Sequence, residues 1–366
     1  MRVVMVTEWY PSVAAPVSGV FVRRDAELIA TAADVEVVHL VPPGRVTDAD
    51  AVADRAAAVP IRRIVMDRTD PFDRRRVAGV LARTIEDADL LHTHAFTTLM
   101  AFAGRRVARP WVHSEHWSGV ADPSGLTPRG RAIFRLTAPL LRRPDVVTTV
   151  STYLADRVRR YRRGPISVVP SIVPPASLVP PPNDPGEIRL VAVGGLVEGK
   201  GPLLALETVR ELARRGVGAH LTWVGEGPMR AALEQATREG DRLTLLGALD
   251  SDGVSAALDA ADVFLLPTKG ETLCLSALEA ITHGRPVVMG ARGGQRDYIV
   301  PDNGVLVGPR TPAAYADAVE EIRRRRGELV PERVAATIGD RFHGHRVLEG
   351  YLEAYALARA ARGISG

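Results

Sequence analysis

Residues 190–202 read LVAVGGLVEGKGP, an apolar run that passes through two glycines to a lysine and a proline. The run from Leu190 to Val193 is typical of a strand that is buried on both faces. Pro202 fits the first turn of a helix, because the N–H groups of that turn have no intrahelical partners. The stretch therefore predicts a strand, a glycine turn and a helix, which together form half of the repeating unit of a parallel α/β sheet.

Similar units recur along most of the chain. The predicted strands are 3–6, 35–40, 61–65, 90–93, 111–114, 146–150, 166–169, 189–193, 221–224, 243–246, 263–266, 286–289 and 305–307. Helix-length segments separate most of them, and this alternation predicts parallel sheets that are covered on both faces. Residues 42–60 break the pattern, and we predict a mobile polar loop there.

A proline-rich segment divides the chain into two halves. Residues 170–186 contain seven prolines, which neither a helix nor a central strand tolerates. The chain has 366 residues, a length that suits two domains. We expect an α/β protein of two doubly wound, Rossmann-like domains that face each other across a cleft. The predicted parts are an N-terminal, acceptor-side domain over 1–169, a linker over 170–188, a nucleotide-sugar-binding domain over 189–340, and a C-terminal helix over 341–366 that packs on the N-terminal domain.

The composition narrows the class of protein further. Hydrophobic residues make up 46% and charged residues 25%, which are ordinary values for a soluble globular protein. The apolar run at residues 1–6 is too short for a signal peptide, and Cys274 is the single cysteine, so we expect a cytoplasmic protein. The net charge is only +4. We interpret the short arginine clusters at 74–76, 157–163 and 323–326 as solvated surface and predict no nucleic-acid partner.

Charged side chains follow two of the predicted strands. Residues 270–280 read GETLCLSALEA. We place Glu271 at the start of a helix and Glu279 on roughly the same face, since two helical turns span about 7.2 residues. A carboxylate at a helix start is also an ordinary partner of the helix dipole, so the pattern alone leaves its role open. Lys200, one of only two lysines, adds a full charge to a helix start that attracts anions.

These two segments resemble the donor-binding motifs of the family 4 retaining glycosyltransferases, which have the GT-B fold. Residues 270–280 are similar to the family's Glu-x7-Glu signature. The resemblance implies that Glu271 contacts hydroxyls of the donor sugar and that Glu279 binds the nucleotide ribose. It also implies that the sugar is cradled by the backbone amides of Thr272, Leu273 and Cys274.

The segment after Val193 resembles the family's Gly-Arg-Leu…Lys-Gly motif, whose arginine and lysine hold the donor diphosphate. Gly195 stands where the family usually has the arginine. The resemblance therefore implies that Lys200 carries this charge alone or that an arginine from elsewhere replaces the missing one. Gly225 and Gly247 lie in loops suited to flank the base.

The N-terminal half carries two further similarities. Gly19, in the sequence SGVF, resembles the glycine loop that meets the donor phosphates across the cleft, with one glycine rather than the usual pair. His116, in the sequence VHSEHW, matches the family histidine that contacts the transferring sugar. A histidine at a strand end is more often only a satisfied polar residue, so the position alone leaves this role open.

The resemblance implies a retaining, hexosyltransferase-like enzyme. It would move a sugar from a nucleotide-diphosphate sugar to an acceptor that the residues do not identify: a glycan, a lipid-linked molecule or a small molecule. In this family the leaving phosphate oxygen takes the acceptor proton, so no protein base is required. We expect no cofactor and no metal, with the nucleotide sugar as a substrate.

Two other functions stay open. His92 and His94 project to one face of a strand, and with His113 and His116 they suggest a metal-dependent hydrolase. A non-catalytic carbohydrate-binding protein of the same fold is the second alternative, and Gly195 favours it slightly. The Asp-x-Asp triplets at 48–50 and 87–89 look incidental.

A basic and apolar segment raises the question of a membrane partner. Residues 129–143, RGRAIFRLTAPLLRR, mix arginines with large apolar residues, a combination typical of helices that rest on anionic bilayers. We hold peripheral association with the inner face of a membrane as one interpretation. The favoured one is a helix whose apolar residues pack on the sheet of a soluble enzyme, since amphipathic helices usually face a core.

Overall fold

The computed structural model describes residues 1–181 and 186–364. The chain divides into two compact units, Met1–Ile172 with His343–Gly366 and Val173–Phe342. Each unit is built on one parallel sheet with helices between its strands, which confirms the predicted doubly wound α/β class. Of the predicted linker, residues 182–185 lie outside the described part of the chain, and a strand already begins at Glu187.

The N-terminal unit has seven parallel strands. They are β1 (Arg2–Thr7), β2 (Asp34–Val41), β3 (Ile61–Val65), β4 (Leu90–His94), β5 (Trp111–Glu115), β6 (Val146–Thr149) and β7 (Ile166–Val168). Their spatial order is β3-β2-β1-β4-β5-β6-β7. In β1 the residues from Val3 to Thr7 are all buried, as expected of a strand covered on both faces.

Within the described residues up to Ile172, six α-helices lie between or after these strands. They are α1 (Val20–Ile29), α2 (Asp48–Arg55), α3 (Pro71–Thr84), α4 (Ser118–Ala121), α5 (Pro128–Thr137) and α6 (Thr152–Val158). The prediction of a loop over 42–60 was wrong, because α2 lies within it. Thr47 and Asp50 form a capping box at the start of α2, in which each side chain binds the backbone N–H of the other residue. The first Asp-x-Asp triplet therefore supplies a helix cap.

The C-terminal unit repeats the plan with six parallel strands in the order β10-β9-β8-β11-β12-β13. The strands are β8 (Glu187–Val193), β9 (Gly218–Val224), β10 (Leu243–Gly247), β11 (Val263–Leu266), β12 (Val287–Gly290) and β13 (Gly304–Val307). The helices are α7 (Pro202–Arg214), α8 (Arg230–Ala236), α9 (Ser251–Asp259), α10 (Leu275–Thr282), α11 (Pro312–Arg324) and α12 (Pro331–Ala336).

The last helix, α13 (Gly344–Ala360), returns to the N-terminal unit. Its Tyr351 hydroxyl donates to Asp25 Oδ2 at 2.8 Å, and its Tyr355 hydroxyl lies 2.8 Å from His92 Nδ1. Both tyrosines are buried in the same hydrophobic cluster as Val3 and Met5. Within the described ranges, the helices are all too short or too polar to cross a membrane.

The strand order reverses at one point in each sheet. In the N-terminal unit β1 lies beside β4, and in the C-terminal unit β8 lies beside β11. In doubly wound sheets, ligands bind at the carboxyl ends of the strands at such a switch point. The loops that follow these four strands are therefore the places to look for a site.

Candidate active site

Two loops meet at the switch point of the C-terminal unit. One follows β8 and contains a single 3-10 turn at Glu198–Lys200, and the other follows β11. The Lys269 N–H donates to the Gly199 carbonyl at 2.7 Å. Gly201 has φ 76°, and a Cβ there would collide with the Pro267 carbonyl oxygen. Glycine at this position therefore permits the close approach of the two loops.

An ion pair between Lys200 and Glu271 joins these loops. The distance from Lys200 Nζ to Glu271 Oε1 is 2.7 Å, and Thr268 Oγ1 donates to the same oxygen at 2.8 Å. The lysine side chain is 25% exposed and that of the glutamate 13%. Burial opposes the ammonium charge, but the Glu271 carboxylate favours it, and the pKa of Lys200 is raised above its ordinary value. Lys200 is thus a protonated cation at neutral pH.

A second ion pair joins the same two loops, but here the lysine lies on the loop after β11 and the glutamate on the loop after β8. Lys269 Nζ donates to Glu198 Oε1, and both of these side chains are exposed. Both lysines of the chain therefore lie at this one junction. Lys269 was missed at the sequence level, although the second of only two lysines stands two residues before Glu271.

The helix after Glu271 begins later than predicted. Helix α10 starts at Leu275, and Cys274 before it has the left-handed φ of 76°. The prediction that Glu271 and Glu279 share a helix face was therefore wrong, because Glu271 precedes the helix and instead makes a bridge to Gly293. Glu279 lies inside α10 and is half-buried.

The start of α10 is itself suited to an anion. It has no side-chain cap among the described residues, so its first N–H groups carry the positive end of the helix dipole. Thr272, Leu273 and Cys274 form the turn that leads into it. The Tyr298 hydroxyl donates to the Leu273 carbonyl at 2.7 Å. Burial, followed by the nearby Glu271 carboxylate, raises the pKa of the Cys274 thiol to about 11, so the thiol stays protonated.

Glycines bring a third loop against the first. The Gly225 N–H donates to the Gly247 carbonyl at 2.7 Å, and a Cβ at Gly225 would collide with the Gly194 carbonyl oxygen. Gly195 is different, because the nearest atom to a Cβ there would be the Glu226 carbonyl oxygen at 3.6 Å. A Cβ atom therefore fits at position 195, and backbone packing does not require the glycine.

At the N-terminal switch point, a glycine turn precedes a helix whose Phe21 packs against His116. Gly19 precedes α1 with φ 66°, and a Cβ there would collide with the Trp9 backbone. The Phe21 ring lies 4.7 Å from the His116 ring, measured between centroids. His116 is 9% exposed. Burial, together with the neighbouring His113, lowers its pKa to about 3, so its imidazole is neutral at physiological pH.

The other histidines do not form the predicted four-membered metal cluster. His92 is engaged by Tyr355 and, at 2.7 Å, by Ser114 Oγ. His113 lies 2.9 Å from Thr93 Oγ1 and 3.3 Å from a Glu115 oxygen. These interactions occupy both ring nitrogens of each histidine, which argues against the hydrolase interpretation.

A buried aspartate joins the two remaining histidines. Asp25, His94 and His116 each place one oxygen or nitrogen atom within 4.8 Å of the others. Asp25 is fully buried, and burial raises its pKa to about 7. Asp25 was also missed at the sequence level, although it stands on the apolar stripe of α1 between Val22 and Ile29, where an acidic side chain is unusual.

Comparison with known proteins identifies the family. Residues 187–324 match the family described as Glycosyl transferases group 1, and residues 26–177 match Glycosyltransferase Family 4. The 2-deoxystreptamine N-acetyl-D-glucosaminyltransferase of Streptomyces fradiae is 30% identical over 314 residues, which cover 76% of this chain and 73% of the relative. The 2-deoxystreptamine glucosyltransferase of Streptomyces kanamyceticus is 32% identical over 241 residues, which cover 58% of this chain and 62% of the relative.

Solved structures share the fold over nearly the whole chain. Sucrose-phosphate synthase from Thermosynechococcus elongatus has a TM-score of 0.76 at 19% identity and covers 98% of this chain and 99% of its own. Anabaena Alr3699/HepE, in complex with UDP and glucose, has a TM-score of 0.74 at 14% identity, with 96% and 98% covered. These likenesses confirm the predicted GT-B architecture. The sequence matches go further: this chain belongs to glycosyltransferase family 4 and is a glycosyltransferase.

Proposed function

We propose that this enzyme transfers a sugar from a nucleoside-diphosphate sugar with retention of configuration and without a metal. The observation that carries the proposal is the Lys200–Glu271 ion pair at the C-terminal switch point, which sets a cation and a hydrogen-bond acceptor side by side. A diphosphate needs the cation, and sugar hydroxyls need the acceptor. The donors named for relatives agree, since a mycobacterial mannosyltransferase 35% identical over 142 residues is GDP-mannose-dependent.

In this proposal, each part of the C-terminal site has one role. The ammonium of Lys200 leaves Glu271 for the diphosphate when the donor binds, and the start of α10 adds its dipole. Glu271 then accepts from the sugar hydroxyls, and the amides of Thr272, Leu273 and Cys274 cradle the ring. Glu279 binds the ribose, and the base lies by Gly225 and Gly247.

In the N-terminal unit, the turn at Gly19 is proposed for the donor phosphates and His116 for the transferring sugar. With a pKa of about 3, His116 holds no extra proton at neutral pH. It therefore serves as a neutral hydrogen-bonding partner of a hydroxyl, and general acid catalysis is not its role.

The proposed step needs no protein base. The bond from the anomeric carbon to the diphosphate oxygen breaks while the acceptor oxygen forms its bond to that carbon on the same face. The departing diphosphate oxygen takes the acceptor proton. The chain's contribution is electrostatic, because Lys200 and the start of α10 stabilise the charge that develops on the diphosphate.

For the acceptor, we propose a cyclitol, free or lipid-linked. The names of several relatives contain 2-deoxystreptamine, phosphatidylinositol or phosphatidylinositol dimannoside, and each of these contains a polyhydroxylated six-membered carbocycle. The direct test is a matrix of nucleotide sugars against inositol, inositol phosphate, 2-deoxystreptamine and phosphatidylinositol, with the anomeric configuration of each product read by NMR. An inverted product would contradict retention, and transfer confined to glycan or peptide acceptors would contradict the cyclitol assignment.

The missing arginine at position 195 offers a second test of the donor site. Because a Cβ atom fits there, Gly195→Arg is designed to add a cation beside the proposed diphosphate position. We expect the donor Kd to fall or stay unchanged when measured by calorimetry. Weaker donor binding in a folded variant would mean that another group already fills that place.

We also propose that the enzyme is cytoplasmic and that α5 makes a peripheral contact with the inner face of the membrane. Phe134 is buried, but Ile133 is 45% and Leu136 81% exposed, so the expectation that the apolar residues of this helix pack on the sheet was wrong for these two. Arg129 is exposed on the same helix. Exposed apolar and basic side chains together suit an anionic bilayer.

Vesicle co-sedimentation tests this contact. We expect binding to anionic vesicles that weakens with salt, since each basic residue contributes about 1 kcal/mol near the surface. Binding should fall in Ile133→Gln/Leu136→Gln and in Arg129→Gln. The matched control is Phe72→Gln, which removes an exposed apolar side chain from α3. Equal recovery in the supernatant with and without anionic vesicles at low salt would end the idea.

A further inference from the structure

We propose that Asp25, His94 and His116 form a binding site for one divalent transition-metal ion, such as Zn²⁺, and that this ion competes with the donor sugar for His116. Two imidazoles and one carboxylate are a common ligand set for such ions. Among the described residues, this is the group of histidine and acidic side chains whose ligand atoms converge closely enough to hold an ion.

The spacing of the atoms suits an ion. His94 Nδ1 lies 3.4 Å from His116 Nε2, which is longer than a typical hydrogen bond. Zn–N bonds of about 2.0–2.1 Å place two ligands of a tetrahedral ion about 3.3–3.4 Å apart. The two rings are nearly parallel, with an angle of 5° between their planes.

The hydrogen-bonding state of the cluster points to a missing ligand. Asp25 Oδ1 is buried and has no hydrogen-bond partner within the described part of the chain. The Asp25 side chain is fully buried, and an unpaired polar atom in such a place is costly. The second oxygen of Asp25 accepts from the Tyr351 hydroxyl, and this bond fixes the orientation of the carboxylate, as hydrogen bonds to metal-binding carboxylates do.

The electrostatics of the cluster agree with the geometry. A transition metal binds neutral imidazole and ionised carboxylate. The ion would add positive charge beside the buried Asp25 carboxylate.

The proposed competition rests on the role of His116 in the proposed function, whereas metal binding itself does not. His116 cannot offer the same nitrogen to a metal and to a sugar hydroxyl. Metal loading should therefore inhibit transfer, and the inhibition should weaken as the donor concentration rises.

The test uses Co²⁺ as a spectroscopic probe and the full chain, freed of metal with EDTA and then of EDTA. His343 and His345, a histidine pair with ring centroids 6.1 Å apart, are first replaced by glutamine to remove a second candidate for metal binding. We expect one equivalent of Co²⁺ with tetrahedral absorption, displaced by Zn²⁺. His94→Gln and Asp25→Asn should weaken binding at least about tenfold, with circular dichroism showing that both variants are folded.

Absence of a Co²⁺ spectrum, or unchanged binding in both variants, would overturn the site. The second readout is Zn²⁺ inhibition, expressed for each variant relative to its own metal-free rate, and it should be relieved in His94→Gln. Tight, site-dependent Co²⁺ binding without inhibition would overturn the competition and with it the proposed role of His116, while the metal site would stand.

Discussion

The two switch points occupy equivalent places in their sheets, but their side chains differ in whether they are charged or neutral. In the C-terminal unit the loops after β8 and β11 carry Lys200 and Glu271, which are paired and partly exposed. In the N-terminal unit β4 ends in His94, and His116 directly follows the neighbouring strand β5; both histidines are buried. The pKa of Lys200 is raised and those of the two histidines are lowered. One switch point therefore keeps a full positive charge, and the other keeps its two histidines neutral.

This difference follows from burial and partners. Lys200 has a carboxylate at 2.7 Å that offsets the loss of solvent, whereas His116 has other histidines as neighbours, which disfavour a second positive charge. Charge at the C-terminal switch point suits a diphosphate. Neutral imidazole at the N-terminal one suits hydroxyl groups and metal ions. The same fold thus offers two kinds of chemistry at equivalent positions.

Removal of either charge of the C-terminal pair should have the largest effect. We expect Lys200→Ala and Glu271→Ala each to lower kcat by about 10²–10³, because such groups stabilise charge that develops in the transition state. The measurement is turnover at saturating donor, with thermal unfolding to confirm the fold. Lys269→Ala is the matched control, since it removes the other lysine from the same junction. A Lys200→Ala enzyme with near-normal turnover, or a Lys269→Ala enzyme equally impaired, would break the assignment.

Gly19, at the N-terminal switch point, and Gly225, in the loop after β9, should be equally intolerant of a side chain. Gly19→Ala and Gly225→Ala each place a Cβ against neighbouring backbone at a positive φ. We expect each to lower the free energy of unfolding by about 1–3 kcal/mol from backbone strain, with the collision adding to it.

Chemical denaturation measures this loss of stability. Gly195→Ala is the control, because its Cβ meets its nearest neighbour at 3.6 Å, and its stability should be within about 0.5 kcal/mol of the parent. If Gly195→Ala were the least stable of the three, the open space assigned to position 195 would be wrong.

The buried histidines should make the N-terminal unit sensitive to acid. His39 is suited to a test of this expectation, because it is not part of the cluster of Asp25, His94 and His116. Burial, followed by the Arg63 charge, lowers the pKa of His39 to about 4. Folded His39 is neutral between pH 4 and 6.5, whereas the unfolded chain takes up a proton there. Acid therefore favours the unfolded state, and the stability that His39 contributes is lost as the pH falls from about 6.5 to about 4.

Over this pH range, the free energy of unfolding of His39→Gln should fall by roughly 1–3 kcal/mol less than that of the parent protein. His345→Gln, which removes an exposed histidine, should leave the slope as it is. Denaturation curves at several pH values provide the slope. A steeper dependence in His39→Gln would contradict the sign of the effect.

The fold class could be predicted from the sequence because parallel strands buried on both faces appear as continuous apolar runs, as in β1 and β8. Lys200, Glu271 and His116 could be selected because each follows a strand. Prediction failed where geometry depends on distant neighbours. The late start of α10 depends on the left-handed Cys274 and on the bridge from Glu271 to Gly293, which lies 22 residues further along the chain.

Pairing was likewise hidden from the sequence. The bond between Lys200 and Glu271 spans 71 residues, and that between Asp25 and Tyr351 spans 326. No local pattern reports contacts of this range. The polar, alanine-rich composition of 42–60 suggested a loop because α2 buries little besides Asp50, so its apolar signal is weak. Its Thr47-x-x-Asp50 cap was nevertheless visible in the sequence.

The smallest expected effect is that of metal removal, and it separates the two switch points most cleanly. If Lys200 and the start of α10 neutralise the diphosphate, exhaustive treatment with EDTA should leave turnover within about twofold of its starting value. If the N-terminal cluster carries Zn²⁺ after purification, the rate should rise on chelation, since His116 is released. Re-addition of Mg²⁺ or Mn²⁺ should change nothing, because two imidazoles favour Zn²⁺ over these harder ions. Activity that disappears with EDTA and returns with Mn²⁺ would mean that a metal performs the work assigned to Lys200, and the contrast between a charged and a neutral switch point would no longer explain transfer.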